Sequence, residues 1–292
     1  MVVAVYGKDI STDNYEYLEE LFNTLRKYNV DVRIYHEFYR FLKLETAFDQ
    51  ELKEFYHHED LFSDIDVMIS VGGDGTILDA TTLVRDSGVP ILGINLGRLG
   101  FLANVAKSEI DETISRLVDG KYIINPRSVI QLETRKNLFG SLNFALNEVS
   151  IARNETTSMI TIHTFINDRY LNTYWSDGLI ICTPTGSTGY NLSCGGPIVM
   201  PGSENFVITP IAPHTLTVRP FVISDKYKIR LRVEGRADHF LVSLDSRMQA
   251  ISPDDELYIS KADFKINLVQ MEHIDYSTTL RNKLNWGLDQ RN

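Results

Sequence analysis

The chain has 292 residues, room for two domains of the usual size, and its 43% hydrophobic and 23% charged residues are ordinary for a globular protein. No run reaches the about 18 consecutive apolar residues of a membrane-spanning helix, and the start, MVVAVYGKDIS, reads as a buried strand rather than a targeting leader. A net charge of −10 argues against a nucleic-acid-binding face, but it leaves room for a small polyanion held by local N–H groups and a few cations.

The first part of the chain alternates strand and helix signals. Val2–Tyr6 is a short apolar run, and Leu18, Leu21, Phe22 and Leu25 follow with helical spacing behind a capping pair, Asp13 and Glu16. Next come a strand at Val30–Tyr35 and an aromatic-rich stretch through His58 that reads as helical. Strands at Asp66–Val71 and Val89–Ile94 then alternate with helices at Thr76–Asp86 and Ser108–Gly120. Strands separated by helices imply right-handed βαβ units and a mostly parallel, Rossmann-like sheet. From about Asn125 the texture changes to short strands. Lys228–Glu234 alternates apolar and charged residues, and Met159–Ile166 and Tyr170–Trp175 flank a hairpin turn at Asn167-Asp168. The predicted organisation is an α/β domain over 1–125, a β-rich domain over 126–275, and a segment over 276–292 that packs back on the first, with Leu280, Leu284 and Trp286 as anchors. Two cysteines, Cys182 and Cys194, make no disulfide framework, and no Cys/His cluster suggests a metal held by the protein; a reducing cytoplasm fits.

The strongest local signal is Ser70-Val71-Gly72-Gly73-Asp74-Gly75-Thr76, between an apolar strand and a helix. Gly72, Gly73 and Gly75 permit positive φ and a close approach of phosphate, and the helix N-terminus adds free N–H groups and a positive dipole end. Asp74 within such a cradle repels phosphate. It is therefore expected to pair with a cation or to face a hydroxyl that it deprotonates, the alternative being a strand-to-helix turn with Asp74 as N-cap.

A second patch runs from Asp177-Gly178 through Thr183-Pro184-Thr185-Gly186-Ser187-Thr188-Gly189-Tyr190 to Gly195-Gly196-Pro197. Its hydroxyls and glycines suit ribose or phosphate oxygens, although a Ser/Thr/Gly surface loop has the same composition. No lysine follows a Walker frame, so P-loop chemistry is excluded. Asn147-Glu148, a polar pair in an apolar run, reads either as a ligand contact or as a satisfied structural pair. Pro213-His214-Thr215 with Arg219-Pro220 is equally ambiguous, and a core or strand-capping His214 is the simpler reading. Phe55-Tyr56-His57-His58 reads as packing. Nucleophile-elbow and zinc-protease motifs are missing.

Taken together and in order, these patches resemble the NAD kinase family over nearly the whole chain. The resemblance rests on Gly72–Thr76, Gly93–Leu102, Asn147-Glu148, Asp177-Gly178, Thr183–Tyr190, Pro213–Leu216 and Leu280-Arg281 with Lys283-Leu284. It implies an N-terminal α/β domain, an all-β sandwich-like C-terminal domain, a site between them, and homodimers that pair into tetramers. ATP would phosphorylate the adenosine 2′-hydroxyl of NAD, with a divalent ion, Mg²⁺, on the triphosphate. The resemblance makes Asp74 the base, and Gly72, Gly73, Gly75, Thr76 and Arg98 neighbours of the phosphates. Asp74, Gly75, Phe101, Asn147, Glu148, Asp177, Thr185, Thr188 and Tyr190 would hold NAD. Ser246 follows Asp245 where the family often has glycine, which leaves Asp245 without an assigned role, and Gly189 stands where many members carry alanine. The rival readings are a lipid or sphingoid-base kinase on the same GGDGT core, for which no amphipathic basic helix is present, and a catalytically silent dinucleotide sensor.

Overall fold

The computed structural model describes residues 1–62, 64–154, 158–272 and 275–285. The chain forms two compact units, Met1–Pro126 together with the stretch from Ile266 onward, and Arg127–Lys265.

The first unit contains β1 (Val2–Gly7), α1 (Tyr15–Lys27), β2 (Asp31–Tyr35), α2 (His36–Glu45), β3 (Lys53–Phe55) and β4 (Val67–Val71). It continues with α3 (Asp74–Val84), β5 (Ile91–Asn95), β6 (Val105–Ala106) and α4 (Ile110–Val118). The strands pair in parallel in the order β3-β2-β1-β4-β5. This is the doubly wound order, in which ligands bind at the carboxyl ends of strands where the order reverses, here between β1 and β4. Every residue of β4 and β5 is buried, so both read as continuous apolar runs rather than alternating ones. Helix α1 turns Leu18, Leu21, Phe22 and Leu25 into the core, as its spacing predicts.

Two expectations fail here. Helix α1 is entered through a short 3₁₀ turn, Thr12–Asn14, and its N-cap is Asn14, with no side-chain capping bond from that residue. The aromatic-rich stretch is not one helix: α2 ends at Glu45, and Lys53–Phe55 pairs with β2 as an edge strand. Its aromatics lack a helical period because they serve two surfaces. Phe55 is buried in the core, while Tyr56 lies exposed and stacks on His36.

The second unit is all-β. It comprises β7 (Tyr122–Thr134, which enters from the first unit), β8 (Phe144–Ala145), β9 (Glu148–Arg153), β10 (Ile160–Ile166), β11 (Arg169–Ser176), β12 (Gly178–Cys182) and a short helix α5 (Tyr190–Ser193). The strands β13 (Asn205–Ile211), β14 (Phe221–Ser224), β15 (Ile229–Glu234), β16 (Phe240–Leu244), β17 (Arg247–Ile251) and β18 (Glu256–Met271, which returns to the first unit) complete it. One antiparallel sheet runs β14-β13-β12-β9-β16-β17 and another carries β11-β10-β15-β18. Ile151, Ile181, Phe206 and Phe240 of the first sheet share one buried cluster with Ile162, Leu231 and Leu257 of the second, which gives a sandwich. The Asn167-Asp168 turn forms as its sequence predicts, with both residues left-handed (φ 47° and 62°).

Beyond β18, α6 (Tyr276–Leu284) is capped by the Asp275 side chain, which accepts from the Thr278 N–H at 2.7 Å. Leu280 is buried, but Leu284 is 36% exposed and is no anchor; Trp286 lies outside the described residues. Among the described residues no helix is long and apolar enough to cross a membrane.

Leu21 is 1% exposed at the centre of the first core. Leu21→Ala is expected to cost about 2–5 kcal/mol, because the cavity adds to the lost transfer energy. A urea titration of both proteins checks this.

Candidate active site

At the carboxyl end of β4 the chain turns through Gly72 (φ 147°) and Gly73 into α3. A side chain at Gly72 would meet the Thr76 hydroxyl at 2.3 Å, so Gly72 is required both for its φ and for its space. Gly73 and Gly75 have ordinary φ and face open space, so what they contribute is room for a ligand against the backbone. Gly73 is the N-cap of α3 and has no side chain to cap it; the Thr76 N–H turns back to the Gly73 carbonyl at 3.0 Å, and the positive end of the helix remains for an anion. A cleft of about 350 Å³ opens on this turn, lined among others by Lys8, Gly72, Gly73, Thr76, Asn95 and Arg98.

Asp74 is therefore the first residue of the helix rather than its cap, and among the described residues it pairs with no cation. Its Oδ2 accepts the Phe101 N–H at 2.8 Å, and its Oδ1 accepts those of Leu102 and Ala103 at 3.0 and 2.9 Å. Three amides compensate the charge without consuming it, and lone pairs remain on the carboxylate. The loop is shaped for this. A Cβ at Gly100 would lie 1.8 Å from Asp74 Oδ1. Asn95, buried at the end of β5, accepts from the Gly97 N–H at 2.8 Å and donates to the Arg98 carbonyl at 2.8 Å, which holds the loop's first half.

Asn95 and Gly100 fall within the Gly93–Leu102 block but have no role readable from the sequence, and Lys8 carries no sequence signal. The available signal was a polar Asn ending the apolar run Ile91–Ile94. Lys8 follows the last residue of β1 and pairs with Asp79 at 2.6 Å. Arg98 is exposed at the cleft and, among the described residues, pairs with no carboxylate. The half-buried Phe101 ring has the Lys283 ammonium 6.0 Å from its centre.

In the second unit, Glu148 opens β9 with Asn147 just before it, and Cys182 of β12 lies opposite Glu148. Asn147 Oδ1 and Glu148 Oε2 are buried and have no hydrogen-bond partner. Buried polar atoms are rarely left so, which favours a ligand contact over a satisfied structural pair for these atoms. Burial pushes the Glu148 carboxyl up to about 8, and the charge of Asp245 pushes the same way.

The 183–190 loop is only partly the donor-rich surface that its composition suggests. Thr183 donates to the Leu146 carbonyl at 2.6 Å, and Ser187 donates to the Pro184 carbonyl at 2.7 Å, so both hydroxyls are spent on the fold. Thr185 is buried and Thr188 half-buried, its hydroxyl 3.4 Å from the Thr185 carbonyl; the Tyr190 side chain is 47% exposed. Gly186 lies so close to Asn147 that a Cβ would meet the Asn147 carbonyl oxygen at 2.2 Å. At Gly189 the methyl of an alanine would sit 3.3–3.5 Å from its neighbours, a mild change. Asp177 pairs with Arg153 at 3.1 Å. His214 is neither core nor cap: it lies exposed against Trp175, ring centres 4.3 Å apart, and donates its backbone N–H to the Trp175 carbonyl.

A doubly wound unit with an anion cradle and an oriented carboxylate, followed by an all-β unit with orphaned polar atoms, defines a nucleotide-dependent phosphotransferase. Residues 3–122 match the model of the ATP-NAD kinase N-terminal domain and residues 146–271 that of the C-terminal domain. NAD kinases of Flavobacterium psychrophilum and Cytophaga hutchinsonii are 47% and 44% identical to the chain, each over 100% of both sequences. An Archaeoglobus fulgidus NAD kinase solved in complex with ATP superposes with TM-score 0.74 at 26% identity, over 98% of both chains. Yeast NADH kinase complexed with NADH shares the fold with TM-score 0.88 at 21% identity, over 99% of this chain and 88% of that one. The chain belongs to the ATP-NAD kinase family.

Two outcomes follow from this geometry. Gly100→Ala keeps every polar group but drives a methyl into Asp74 Oδ1, and displacements of about 1 Å at a reacting group can cost about 100-fold. A fall in kcat of at least ~10-fold with an unchanged circular dichroism spectrum is expected. Glu148 is raised above its ordinary 4.5 to about 8, so the folded state keeps a proton that the unfolded chain releases. That stabilisation is full below pH 4.5 and is lost as pH rises through about 8. Urea titrations across this window should show a flatter pH dependence for Glu148→Gln than for the wild type.

Proposed function

We propose that the chain transfers the γ-phosphoryl group of ATP to the 2′-hydroxyl of the adenosine ribose of NAD, giving NADP, with Asp74 as the base. Full-length identity of 42–47% to named NAD kinases supports the reaction. What supports this role for Asp74 is its carboxylate, held at the start of α3 by three backbone amides and, among the described residues, paired with no Lys or Arg. Nothing favours the lipid-kinase or sensor readings.

In this mechanism the triphosphate lies over Gly72, Gly73, Gly75 and Thr76, with Arg98 drawing charge from its oxygens. Asn147 and Glu148 offer their orphaned oxygens to the dinucleotide, together with Asp177, Thr185, Thr188 and Tyr190, and Phe101 packs against the adenine. Near neutral pH a protonated Glu148 donates a hydrogen bond as well as accepting one. The 2′-oxygen forms its bond to the γ-phosphorus as the bond to the bridging oxygen breaks; its proton passes to Asp74 and ADP leaves. Such transfers depend on placement and charge neutralisation more than on covalent help.

A divalent ion, Mg²⁺, fits as a passenger on the triphosphate. Among the described residues no group of three or more His, Cys, Asp or Glu could cage one, and Mg²⁺ usually takes only one or two carboxylates beside phosphate oxygens and water. Asp9 is the carboxylate of the cleft lining placed to share it. Bound there, the ion would neutralise charge on the phosphates.

We take as the two domains of the enzyme the unit Met1–Pro126 with the stretch from Ile266 onward and the unit Arg127–Lys265, so that the second domain ends about ten residues before the expected boundary at 275. Cytoplasmic residence is supported by the free thiols of Cys182 and Cys194. Assembly into homodimers and tetramers is supported by exposed Leu216, Phe221 and Val222 on the second unit, apolar surface suited to a second copy.

Purified protein with NAD, ATP and Mg²⁺ should yield NADP in an assay coupled to an NADP-specific dehydrogenase. Asp74→Asn should lower kcat by at least ~100-fold, the usual span of a lost general base. The Asn amide would also turn an N–H towards the 101–103 amides, so the melting temperature and ATP binding are measured alongside. Near-normal turnover in the folded variant would remove Asp74 from its role.

A further inference from the structure

The turn between β16 and β17 grips the segment leading into Asn147-Glu148 with both of its charges. Asp245 Oδ2 accepts the Leu146 N–H at 2.8 Å, and Oδ1 accepts those of Asn147 at 2.9 Å and Glu148 at 3.1 Å. The Asp245 N–H donates to the Glu148 carbonyl at 3.1 Å. Two residues on, the Arg247 guanidinium donates to the carbonyls of Leu142 and Phe144. A carboxylate thus takes the amides at one end of the segment while a guanidinium takes the carbonyls at the other. The β9–β16 ladder, with Leu244 opposite Val149, fixes the turn's distance from the segment. From the other side, Thr183 and Gly186 close on the same backbone.

The left-handed residue of this turn is Asp245 itself (φ 53°), and Ser246 is not among the residues with positive φ. Glycine is therefore not required at 246, and the serine leaves the clamp intact. Asp245 is half-buried, and desolvation of its carboxylate raises its pKa. That desolvation falls at the pair whose side chains carry the orphaned buried oxygens.

We propose that Asp245, braced by Arg247, is a positioning residue for the dinucleotide: it holds the 146–148 backbone in the conformation that presents Asn147 and Glu148 to the substrate. This rests on the reading of that pair as NAD contacts. The groups facing Glu148 are Asp245, the Cys182 thiol of β12, and Tyr190 and Cys194 of the following loop, with Arg247 acting on Asp245.

The test compares Asp245→Asn with Asn147→Ala and Glu148→Gln, measuring kcat and the KM values for NAD and ATP across pH, with melting temperatures. In folded Asp245→Asn the KM for NAD should rise at least ~10-fold, the scale of one lost charge-assisted hydrogen bond, while that for ATP stays within about twofold. The pH dependence of the NAD KM should also move to lower pH, because a charge beside Glu148 is gone. A merely structural role would lower the melting temperature and leave the NAD KM and its pH profile in place, which overturns the proposal. If Asn147→Ala and Glu148→Gln both leave the NAD KM unchanged, the site reading fails and the clamp falls with it. If they raise it and Asp245→Asn does not, the clamp alone fails. Should Asp245→Asn not fold, Arg247→Met carries the test: a raised NAD KM with ATP unaffected supports the clamp, and an unchanged one overturns it.

Discussion

A negative charge in the middle of an anion cradle has to be compensated by something that phosphate does not displace. Here the compensation comes from the N–H groups of Phe101, Leu102 and Ala103. A lysine partner would be drawn to the incoming phosphates; backbone amides are fixed by the fold and stay. Much of the first unit is arranged around that contact. Gly100 leaves room for the carboxylate, and Gly93 lets β5 pass within reach of Ile77 and Ala103, where a Cβ would meet their atoms at 2.4 and 2.8 Å. Asn95 fixes the loop's first turn through the Arg98 carbonyl. The result is a preorganised acceptor at the carboxyl end of a parallel sheet, where the strand order reverses.

The second unit repeats the solution. Asp245 ties three successive amides as Asp74 does, although desolvation beside Glu148 raises its pKa. In both units an aspartate orders a loop by collecting N–H groups, which costs no cation. An acidic chain with a polyanionic substrate gains from that economy, because Lys8 and Arg98 can then line the phosphate cleft. The two aspartates differ in what they leave available: Asp74 keeps lone pairs at the start of α3, whereas Asp245 presents its neighbours.

Most of the architecture was legible because periodicity reports burial. The apolar run at β4, the helical spacing in α1 and the alternation in β15 each map onto the observed faces. The stretch from residue 46 to 58 was not legible, since aromatic richness without a period does not separate a helix from a loop and an edge strand. Within the site, the Gly-Gly-Asp-Gly-Thr turn announced itself, but the partners of Asp74 lie 27–29 residues on and those of Asp245 97–99 residues back. Backbone N–H groups have no letter in a sequence, so such contacts are invisible there. Hydroxyl composition likewise could not reveal that Thr183 and Ser187 are committed to carbonyls within the fold.

The oxygen that takes up the phosphoryl group can be read from the product by phosphorus NMR. When the protein turns over NAD with ATP and Mg²⁺, the new signal should be a monoester coupled to the 2′ proton of the adenosine ribose, beside ADP in equal amount. An ester on any other hydroxyl, or ADP released with no ester formed, would contradict the assignment of Asp74 as the base for the 2′-hydroxyl.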